Sequence, residues 1–185
     1  MTVTLPNSDR LIVVVGPSGA GKDSVLSAWR RRLPPDVAPS LVRRVITRAP
    51  DPQGEDHEPV GEAEFARLRV SDALVFWWQA HGLHYGVRHG ALAPLAEGRW
   101  VVMNGSRGHL PALRRRAPRA HVVEITAPAH VLAERLVLRQ REDAQAVAAR
   151  LARDVAASGA ALVVDNSGGL DAAADQLDRW WRTCR

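Results

Sequence analysis

Residues 16–24 read Gly-Pro-Ser-Gly-Ala-Gly-Lys-Asp-Ser, and they join the apolar run Leu11–Val15 to a segment with helical periodicity. A strand, a glycine-rich loop and a helix in this order are the context of a phosphate-binding P-loop. Glycine lets successive backbone N–H groups turn toward a phosphate, and the helix N-terminus adds a partial positive charge. Lys22 is the only lysine among the 25 lysine and arginine residues. We therefore predict that Lys22 binds the β- and γ-phosphates of a nucleotide as a compact charge, which the fork of an arginine would not match.

The residue after this lysine departs from the usual P-loop pattern. Serine or threonine normally stands there and binds Mg²⁺ through its hydroxyl, whereas this chain has Asp23 followed by Ser24. A carboxylate is a hard oxygen donor that could hold Mg²⁺ directly or through water. Alternatively, Asp23 only complements the positive end of the helix dipole. Both interpretations remain open at this point.

The length of the chain predicts a single domain, residues 1–185, that can bury a sizeable core. No stretch approaches the roughly 20 apolar residues that a membrane-crossing helix needs. The first ten residues lack the features of a signal peptide. Cys184 is the only cysteine, so no disulfide can form within the chain. We expect a cytoplasmic protein without a membrane partner, and the sequence does not indicate an oligomeric state.

The overall charge is basic, with a formal net charge of +5 at pH 7 and an isoelectric point of about 10.8. Such a balance favours anionic ligands, nucleic acid among them. However, 20 carboxylates are interspersed among the arginines, and only 5% of the residues are aromatic. The densest basic run, residues 114–116, is more typical of the exposed end of a helix. We therefore predict small anionic substrates and no nucleic-acid partner.

Apolar strands alternate with helical patterns along the chain. The predicted strands cover residues 11–15, 41–46, 74–80, 100–103, 121–125 and 161–164. The predicted helices cover residues 21–33, 62–69, 90–97, 128–139, 143–157 and 170–182, with a polar turn at 49–58 and a glycine-bounded turn at 81–86. Strands separated by helices imply a parallel sheet with helices on both faces, which is an α/β fold of three layers.

Five short motifs resemble the guanylate kinase family of small phosphotransferases. They are GPSGAGKDS at residues 16–24, ITR at 46–48, EAEF at 62–65, HGLHYG at 81–86 and LAERL at 132–136. The resemblance implies a P-loop kinase fold whose parallel sheet carries helices on both sides. It also implies an acceptor-binding insert at residues 47–87 and an arginine-bearing lid at about residues 139–145.

Three positions differ from the guanylate kinase pattern. Where that family places a guanine-reading glutamate before a tryptophan, this chain has Phe76 before Trp77. Of two arginines in the family's phosphate loop, Arg48 remains, but Asp51 replaces the second. An Asn-Gly-Ser-Arg segment at residues 104–107 replaces the family's strand-end aspartate motif. Because an apolar side chain cannot pair with the N–H donors of guanine, GMP is not the acceptor that we expect.

A closer resemblance is to the ribose 1,5-bisphosphate phosphokinases, which make 5-phosphoribosyl diphosphate (PRPP) in phosphonate breakdown. It rests on the P-loop together with VITR at residues 45–48, HGLHYGV at 81–87, VVMNGSRGHLP at 101–111 and RQRE at 139–142. Asp23 and the 104–107 segment are expected in that family, whereas Gln140 departs from it, since a glycine usually separates the two lid arginines. Two alternatives remain: a nucleoside monophosphate kinase, and a non-catalytic module that binds protein ligands. The intact loop weakens the second alternative.

The resemblance implies a site in which positive charge offsets the repulsion between two anionic substrates. The acceptor oxygen is already anionic, so catalysis consists of positioning and charge neutralisation without a general base. The residues implied for ATP binding are Gly16, Pro17, Ser18, Gly19, Ala20, Gly21, Lys22, Asp23, Ser24 and Arg150. Those implied for the acceptor are Arg48, Tyr85, Ser106 and Arg107, with His57 where the family has a phosphate-binding tyrosine; those implied for the transfer are Lys22, Arg139 and Arg141. Mg²⁺ is the implied cofactor, with Asp23 and Ser24 as ligands, and each arginine has the alternative of being a solvated helix residue.

Overall fold

The computed structural model describes residues 4–50, 55–138 and 158–185. The strands are β1 (Leu11–Val15), β2 (Ser40–Leu41), β3 (Arg44–Ile46), β4 (His57–Pro59), β5 (Leu74–Ala80), β6 (Leu83–Arg88), β7 (Val101–Asn104), β8 (His121–Thr126) and β9 (Leu162–Asp165). The helices are α1 (Lys22–Arg30), α2 (Glu62–Val70), α3 (Ala93–Ala96), α4 (Leu110–Arg116), α5 (Ala129–Leu138) and α6 (Leu170–Trp181). Within these ranges, no helix is both long enough and apolar enough to cross a membrane. The helix predicted at residues 143–157 lies outside the described residues.

The main sheet has five strands in the order β2-β7-β1-β8-β9. Strand β2 pairs with β7, and β8 pairs with β9, in both cases in parallel. All five residues of β1 are fully buried, as expected for a central strand that is covered on both faces. A parallel sheet flanked by helices confirms the predicted three-layer α/β fold.

A second sheet of four strands, in the order β4-β3-β6-β5, corrects two predictions. The single strand predicted at residues 41–46 is divided between the two sheets. Val42 still donates its N–H to Val102 of the main sheet at 2.9 Å, whereas Arg44 already pairs with His57 of β4. Residues 57–59, predicted to lie in a polar turn, form β4 because they pair in parallel with β3.

The turn predicted at residues 81–86 is shorter than expected. Only His81 and Gly82 have positive φ values, 53° and 72°, and the chain pairs with β5 again from Leu83 onward. Tyr85 therefore lies within strand β6 and not in a loop. Its position opposite Trp78 of β5 gives the aromatic ring a fixed neighbour.

Contacts along the chain group it into two compact units. The first consists of Met1–Ile12, Pro39–Met103 and Pro111–Ala120, and its second sheet packs on α2 through Val45, Phe65, Leu68 and Leu74. Gly86 is required in this core, because a Cβ there would lie 2.8 Å from the Leu74 side chain. The prediction of one domain with an insert at residues 47–87 stays a prediction.

The second unit consists of Val13–Ala38, Asn104–Leu110 and His121–Arg185. Its helix α1, which begins at Lys22, is anchored against α6. Trp29 and Trp181 are both fully buried and meet edge to face with ring centroids 5.3 Å apart. Arg32 forms ion pairs with Asp171 and Asp175 of α6. This packing fixes the C-terminal end of α1 against α6, and the other end of the same helix directly follows the glycine-rich loop.

Candidate active site

The glycine-rich loop adopts a backbone that side chains larger than glycine would not allow. Gly16 has φ 143° and lies so close to β8 that a Cβ would be 2.0 Å from the carbonyl oxygen of Ile125. Gly21 has φ 79° and precedes the first residue of α1. The predicted order of strand, loop and helix is therefore present, and the loop opens at the N-terminus of α1, where a phosphate is favoured.

Lys22 lies across the loop that precedes it. Its Nζ donates hydrogen bonds to the carbonyl oxygens of Gly16 and Pro17, each at 3.0 Å. The ammonium group is thus held beside the loop backbone and not extended into solvent. A charge in this position can reach a phosphate that the loop N–H groups bind.

Asp23 faces a residue that the sequence analysis did not assign to the site. Asn104, the last residue of β7, donates a hydrogen bond from Nδ2 to Oδ1 of Asp23. Asn104 is only 4% exposed, and its own Oδ1 is buried without a hydrogen-bond partner among the described residues. Asp23 also lies in the first turn of α1, so both interpretations of its role, metal ligand and dipole partner, fit its position.

The described ranges contain no group of three or more His, Cys, Asp or Glu residues that could hold a metal ion. The predicted Mg²⁺ ligands at this position are Asp23 and Ser24, and this stays a prediction. Mg²⁺ bound to proteins commonly keeps several waters beside one or two protein oxygens. Ser24 is exposed next to Asp23 and lines the cleft beside the loop.

That cleft has a volume of about 340 Å³ and is lined by Gly19, Gly21, Ser24, Arg135, Asn166, Gly168 and Leu170. Arg135 of α5 donates to the carbonyl oxygen of Asn166 at 2.9 Å and to that of Gly19 at 3.5 Å. Asn166, just after β9, donates from Nδ2 to the carbonyl oxygen of Ala20 at 2.8 Å. These contacts connect the glycine-rich loop to the chain after β9. Sequence reasoning missed Arg135 and Asn166 as site residues, although Arg135 lies within the LAERL motif.

In the first unit, Arg48 and His57 contact each other at two points. Nε2 of His57 lies 3.1 Å from the carbonyl oxygen of Arg48, and Nη2 of Arg48 lies 3.4 Å from Nδ1 of the ring. His57 is only 4% exposed, so its ring lies against the chain of Arg48 and has little surface to offer a substrate. Nε of Arg48 is buried without a hydrogen-bond partner among the described residues.

Tyr85 is held by an aromatic and ionic cluster in the same unit. Its ring stacks on Trp78 with centroids 5.5 Å apart and planes within 6°. The guanidinium of Arg44 lies 5.0 Å from the Tyr85 centroid and forms a two-pronged ion pair with Glu55, in which both side chains are about nine-tenths buried. Sequence reasoning missed Arg44 and Glu55, because no local pattern indicated that they would pair. Phe76, at the position of the guanine-reading glutamate, is only 3% exposed.

The remaining predicted residues are divided between the second unit and the part of the chain outside the described ranges. Arg107, predicted to bind the acceptor, lies 3.5 Å from the carboxylate of Glu124, which also accepts a hydrogen bond from Ser158. The carbonyl oxygen of Ser106 accepts the N–H of His109 at 3.0 Å. Arg139, Arg141 and Arg150, together with Gln140 and Asp51, lie outside the described residues, so their roles stay predictions.

A sequence-family model and a solved structure both match this chain over most or all of its length. The sequence model of the guanylate kinase family matches residues 8–183. The crystal structure of guanylate kinase from Anaplasma phagocytophilum superimposes with a TM-score of 0.70. The match covers 100% of this chain and 92% of that one, at 18% sequence identity. At this identity, the likeness concerns the fold.

Comparison with curated sequences identifies relatives of much higher identity. Ribose 1,5-bisphosphate phosphokinase PhnN from Acidiphilium cryptum is 50% identical over 171 residues, which are 91% of this chain and 90% of that protein. The protein of the same name from Brucella melitensis is 44% identical over 164 residues, with coverage of 87% and 85%. A bifunctional ribose 1,5-bisphosphokinase-thymidine phosphorylase from Cupriavidus necator is 49% identical over 140 residues, which are 76% of this chain and 23% of that protein.

Proposed function

Because this chain belongs to the guanylate kinase family, with ribose 1,5-bisphosphate phosphokinases among its relatives, we propose that it transfers the γ-phosphoryl group of ATP to ribose 1,5-bisphosphate. An oxygen of the C1 phosphate attacks the γ-phosphorus, the bond to the β-phosphate bridging oxygen breaks, and ADP and PRPP are released. The observation that carries this proposal is the 50% identity to a ribose 1,5-bisphosphate phosphokinase over nine-tenths of both chains. The chain is thus a phosphotransferase whose acceptor is itself a phosphate.

The donor side consists of the glycine-rich loop and Lys22. The loop N–H groups and the N-terminus of α1 bind the phosphates of ATP. Lys22, already held at 3.0 Å from two loop carbonyl oxygens, balances the negative charge that shifts toward the leaving ADP. The cleft between Arg135 and Leu170 lies beside the same loop and accommodates the nucleoside.

Mg²⁺ accompanies ATP in this proposal, with Asp23 and Ser24 as the residues that hold it. The donor set fits the ion, because a carboxylate and a hydroxyl are hard oxygen ligands. The amide of Asn104 orients the Asp23 carboxylate in the first turn of α1. When bound there, Mg²⁺ would supply positive charge that offsets part of the negative charge of the ATP phosphates.

The acceptor side consists of Arg48 and Tyr85, with Arg107 as a further candidate. A guanidinium binds a phosphate through two parallel hydrogen bonds. The buried Nε of Arg48, which has no hydrogen-bond partner within the described ranges, is one donor available for this purpose. Phe76 provides no carboxylate for a guanine base, which disfavours GMP. Arg139, Arg141 and Arg150 complete the neutralisation of the transferring group in this proposal. We expect the reaction to take place in the cytoplasm, between two small-molecule substrates.

A coupled ADP-release assay tests the proposal directly. The purified chain receives ATP and Mg²⁺ together with one acceptor at a time: ribose 1,5-bisphosphate, GMP, AMP or gluconate. We expect the highest kcat/KM with the bisphosphate, and a product that a PRPP-consuming phosphoribosyltransferase accepts. Turnover of GMP far above that of the bisphosphate would instead identify a nucleotide kinase. Failure of all four acceptors, with intact folding, would favour a binding module.

A further inference from the structure

Asp23 and Asn104 form a hydrogen-bonded pair between the first turn of α1 and the end of β7. The amide nitrogen of Asn104 donates to Oδ1 of Asp23. An ionised carboxylate can only accept hydrogen bonds, so it faces the nitrogen and not the oxygen of the amide. Asp23 thereby determines which way the Asn104 amide is turned. The amide oxygen is the polar atom of Asn104 that remains for another partner.

That amide oxygen is buried in an environment that does not satisfy it. Asn104 is 4% exposed, and its Oδ1 has no hydrogen-bond partner among residues 4–50, 55–138 and 158–185. Buried polar atoms in native proteins nearly always have a partner, so an unsatisfied one indicates a role in binding a ligand, an ion or water. A neutral oxygen next to a carboxylate is suited to a hard cation.

The backbone around Asn104 leaves it little freedom to find another partner. The next residue, Gly105, donates its N–H to the carbonyl oxygen of Val14 at 2.8 Å. A Cβ at Gly105 would lie 2.8 Å from Cγ1 of Val13, so the chain after β7 lies directly against β1. The amide is therefore fixed by its backbone on one side and by Asp23 on the other.

We infer that Asp23 and Asn104 act together as one oxygen-donor pair for the divalent cation that enters with the nucleotide. Asn104 orients the carboxylate through Nδ2 and presents Oδ1 to the cation or to its bound water. This inference rests on the proposed function, because it takes MgATP as the ligand. It assigns two roles to Asn104: it orients the Asp23 carboxylate, and it supplies a second oxygen donor.

The inference is testable because the pair needs one negatively charged side chain and one neutral amide. In the native chain, one carboxylate faces one amide. Asn104→Asp alone places two carboxylates against each other and disfavours the ionised form of both. Asp23→Asn alone leaves the pair without a charge. The double change Asp23→Asn with Asn104→Asp keeps one carboxylate and one amide, with their positions exchanged.

The test measures ADP binding by calorimetry in the presence of Mg²⁺ and in the presence of a chelator. The ratio of the two dissociation constants reports the coupling between cation and nucleotide, independently of turnover. We expect a ratio of about fivefold or more in the wild type and a ratio close to one in Asn104→Ala and in Asp23→Asn. The exchanged pair is expected to regain most of the wild-type ratio.

Asn7→Ala is the matched control. It also removes an asparagine side chain whose Nδ2 makes a hydrogen bond, here to the carbonyl oxygen of Leu95 at 2.8 Å, but Asn7 has no part in the proposed site. Its ratio is expected to equal that of the wild type, even if its melting temperature falls. Asp23→Asn changes a partly exposed residue, so it tests the pair should Asn104→Ala not fold.

The outcomes separate this inference from the proposed function. A wild-type chain that binds no ADP would contradict the proposed function itself. ADP binding with an unchanged Mg²⁺ ratio in Asn104→Ala would overturn the role of Asn104 alone. The ratio of ADP dissociation constants could fall to one in both single variants and not recover in the exchanged pair. That result would overturn the inference that the two residues act as a pair.

Discussion

His57 and Arg48 hold each other in place: Nε2 of the imidazole lies 3.1 Å from the carbonyl oxygen of Arg48, and Nη2 of Arg48 lies 3.4 Å from Nδ1 of the ring. The carbonyl oxygen of Glu55 is also 2.8 Å from Nδ1. An imidazolium donates to both carbonyl oxygens, whereas a neutral ring that donates from Nε2 donates only to that of Arg48. In either form, the buried ring connects the Arg48 backbone to β4.

His57→Ala is therefore expected to act through Arg48. We predict that KM for ribose 1,5-bisphosphate rises about tenfold, since the loss of one or two hydrogen bonds is worth about 1–1.5 kcal/mol. KM for ATP should not change, and His57→Gln should recover part of the loss. Steady-state kinetics with each substrate varied in turn checks this. His89→Ala, at an exposed histidine, is the control, and an unchanged KM in His57→Ala would show that the ring serves packing alone.

Arg48→Ala should remove the guanidinium that is proposed to bind the acceptor phosphate. We expect KM for the bisphosphate to rise by a factor of about 10² (roughly 3 kcal/mol for a charge-assisted contact) while ATP binding stays intact. Arg48→Lys should recover only part of this, because an ammonium keeps the charge without the two-pronged geometry. Arg99→Ala is the matched control, since Arg99 is an exposed arginine of the same unit whose guanidinium pairs with Glu97. If Arg48→Ala weakened ATP and acceptor equally, the acceptor role of Arg48 would be wrong.

Glu58 gives the first unit a predictable dependence of stability on pH. A hydrogen bond from Arg88 lowers the pKa of the Glu58 carboxyl. Burial opposes this shift, and the positive charges of Arg88 and Arg43 add to it. A carboxyl whose pKa is lowered in the folded state stabilises the protein at pH values above the pKa of the unfolded chain. This contribution is lost as the pH falls through the folded-state pKa. We therefore expect Glu58→Gln to be less stable than the wild type at pH 7, with the difference shrinking in acid.

Urea denaturation of both proteins at pH 7, 5 and 3.5 measures this difference. Glu97→Gln is the control, because Glu97 forms an exposed pair with Arg99, and such pairs contribute little. A stability difference between wild type and Glu58→Gln that stays constant over this range would contradict the linkage.

The sequence predicted the main sheet well because local pattern and burial agree there. The uniformly apolar run Leu11–Val15 is a buried parallel strand in the structure, as such a run indicates. The break between Leu41 and Arg44 could not be predicted in the same way, because residues 41–46 are all compatible with a strand. It is set by partners distant in sequence: Val42 bonds to Val102, whereas Arg44 pairs with His57.

A similar distinction applies to the site. The glycine-rich loop could be predicted because its phosphate-binding geometry is encoded within nine consecutive residues. Asn104 and Asn166 could not, because their roles depend on which strand ends lie beside that loop. The pairing of Arg44 with Glu55 could not be predicted either, because the sequence between the two residues shows only a strand pattern followed by polar residues.

Lys22→Ala is the most direct test of the donor side. The change removes the charge held 3.0 Å from the carbonyl oxygens of Gly16 and Pro17, so kcat should fall by about 10²-fold or more, equivalent to roughly 3 kcal/mol of transition-state stabilisation. Lys22→Arg should not restore it, because a planar fork does not fit a position that requires a compact charge. The melting temperature should change little, and Arg31→Ala, which removes a charge at the exposed end of the same helix, should keep normal activity. Stopped assays at saturating and at subsaturating ATP measure the fall in kcat and any change in KM for ATP. Near-normal turnover in Lys22→Ala would refute the assignment of this loop to the phosphates of ATP.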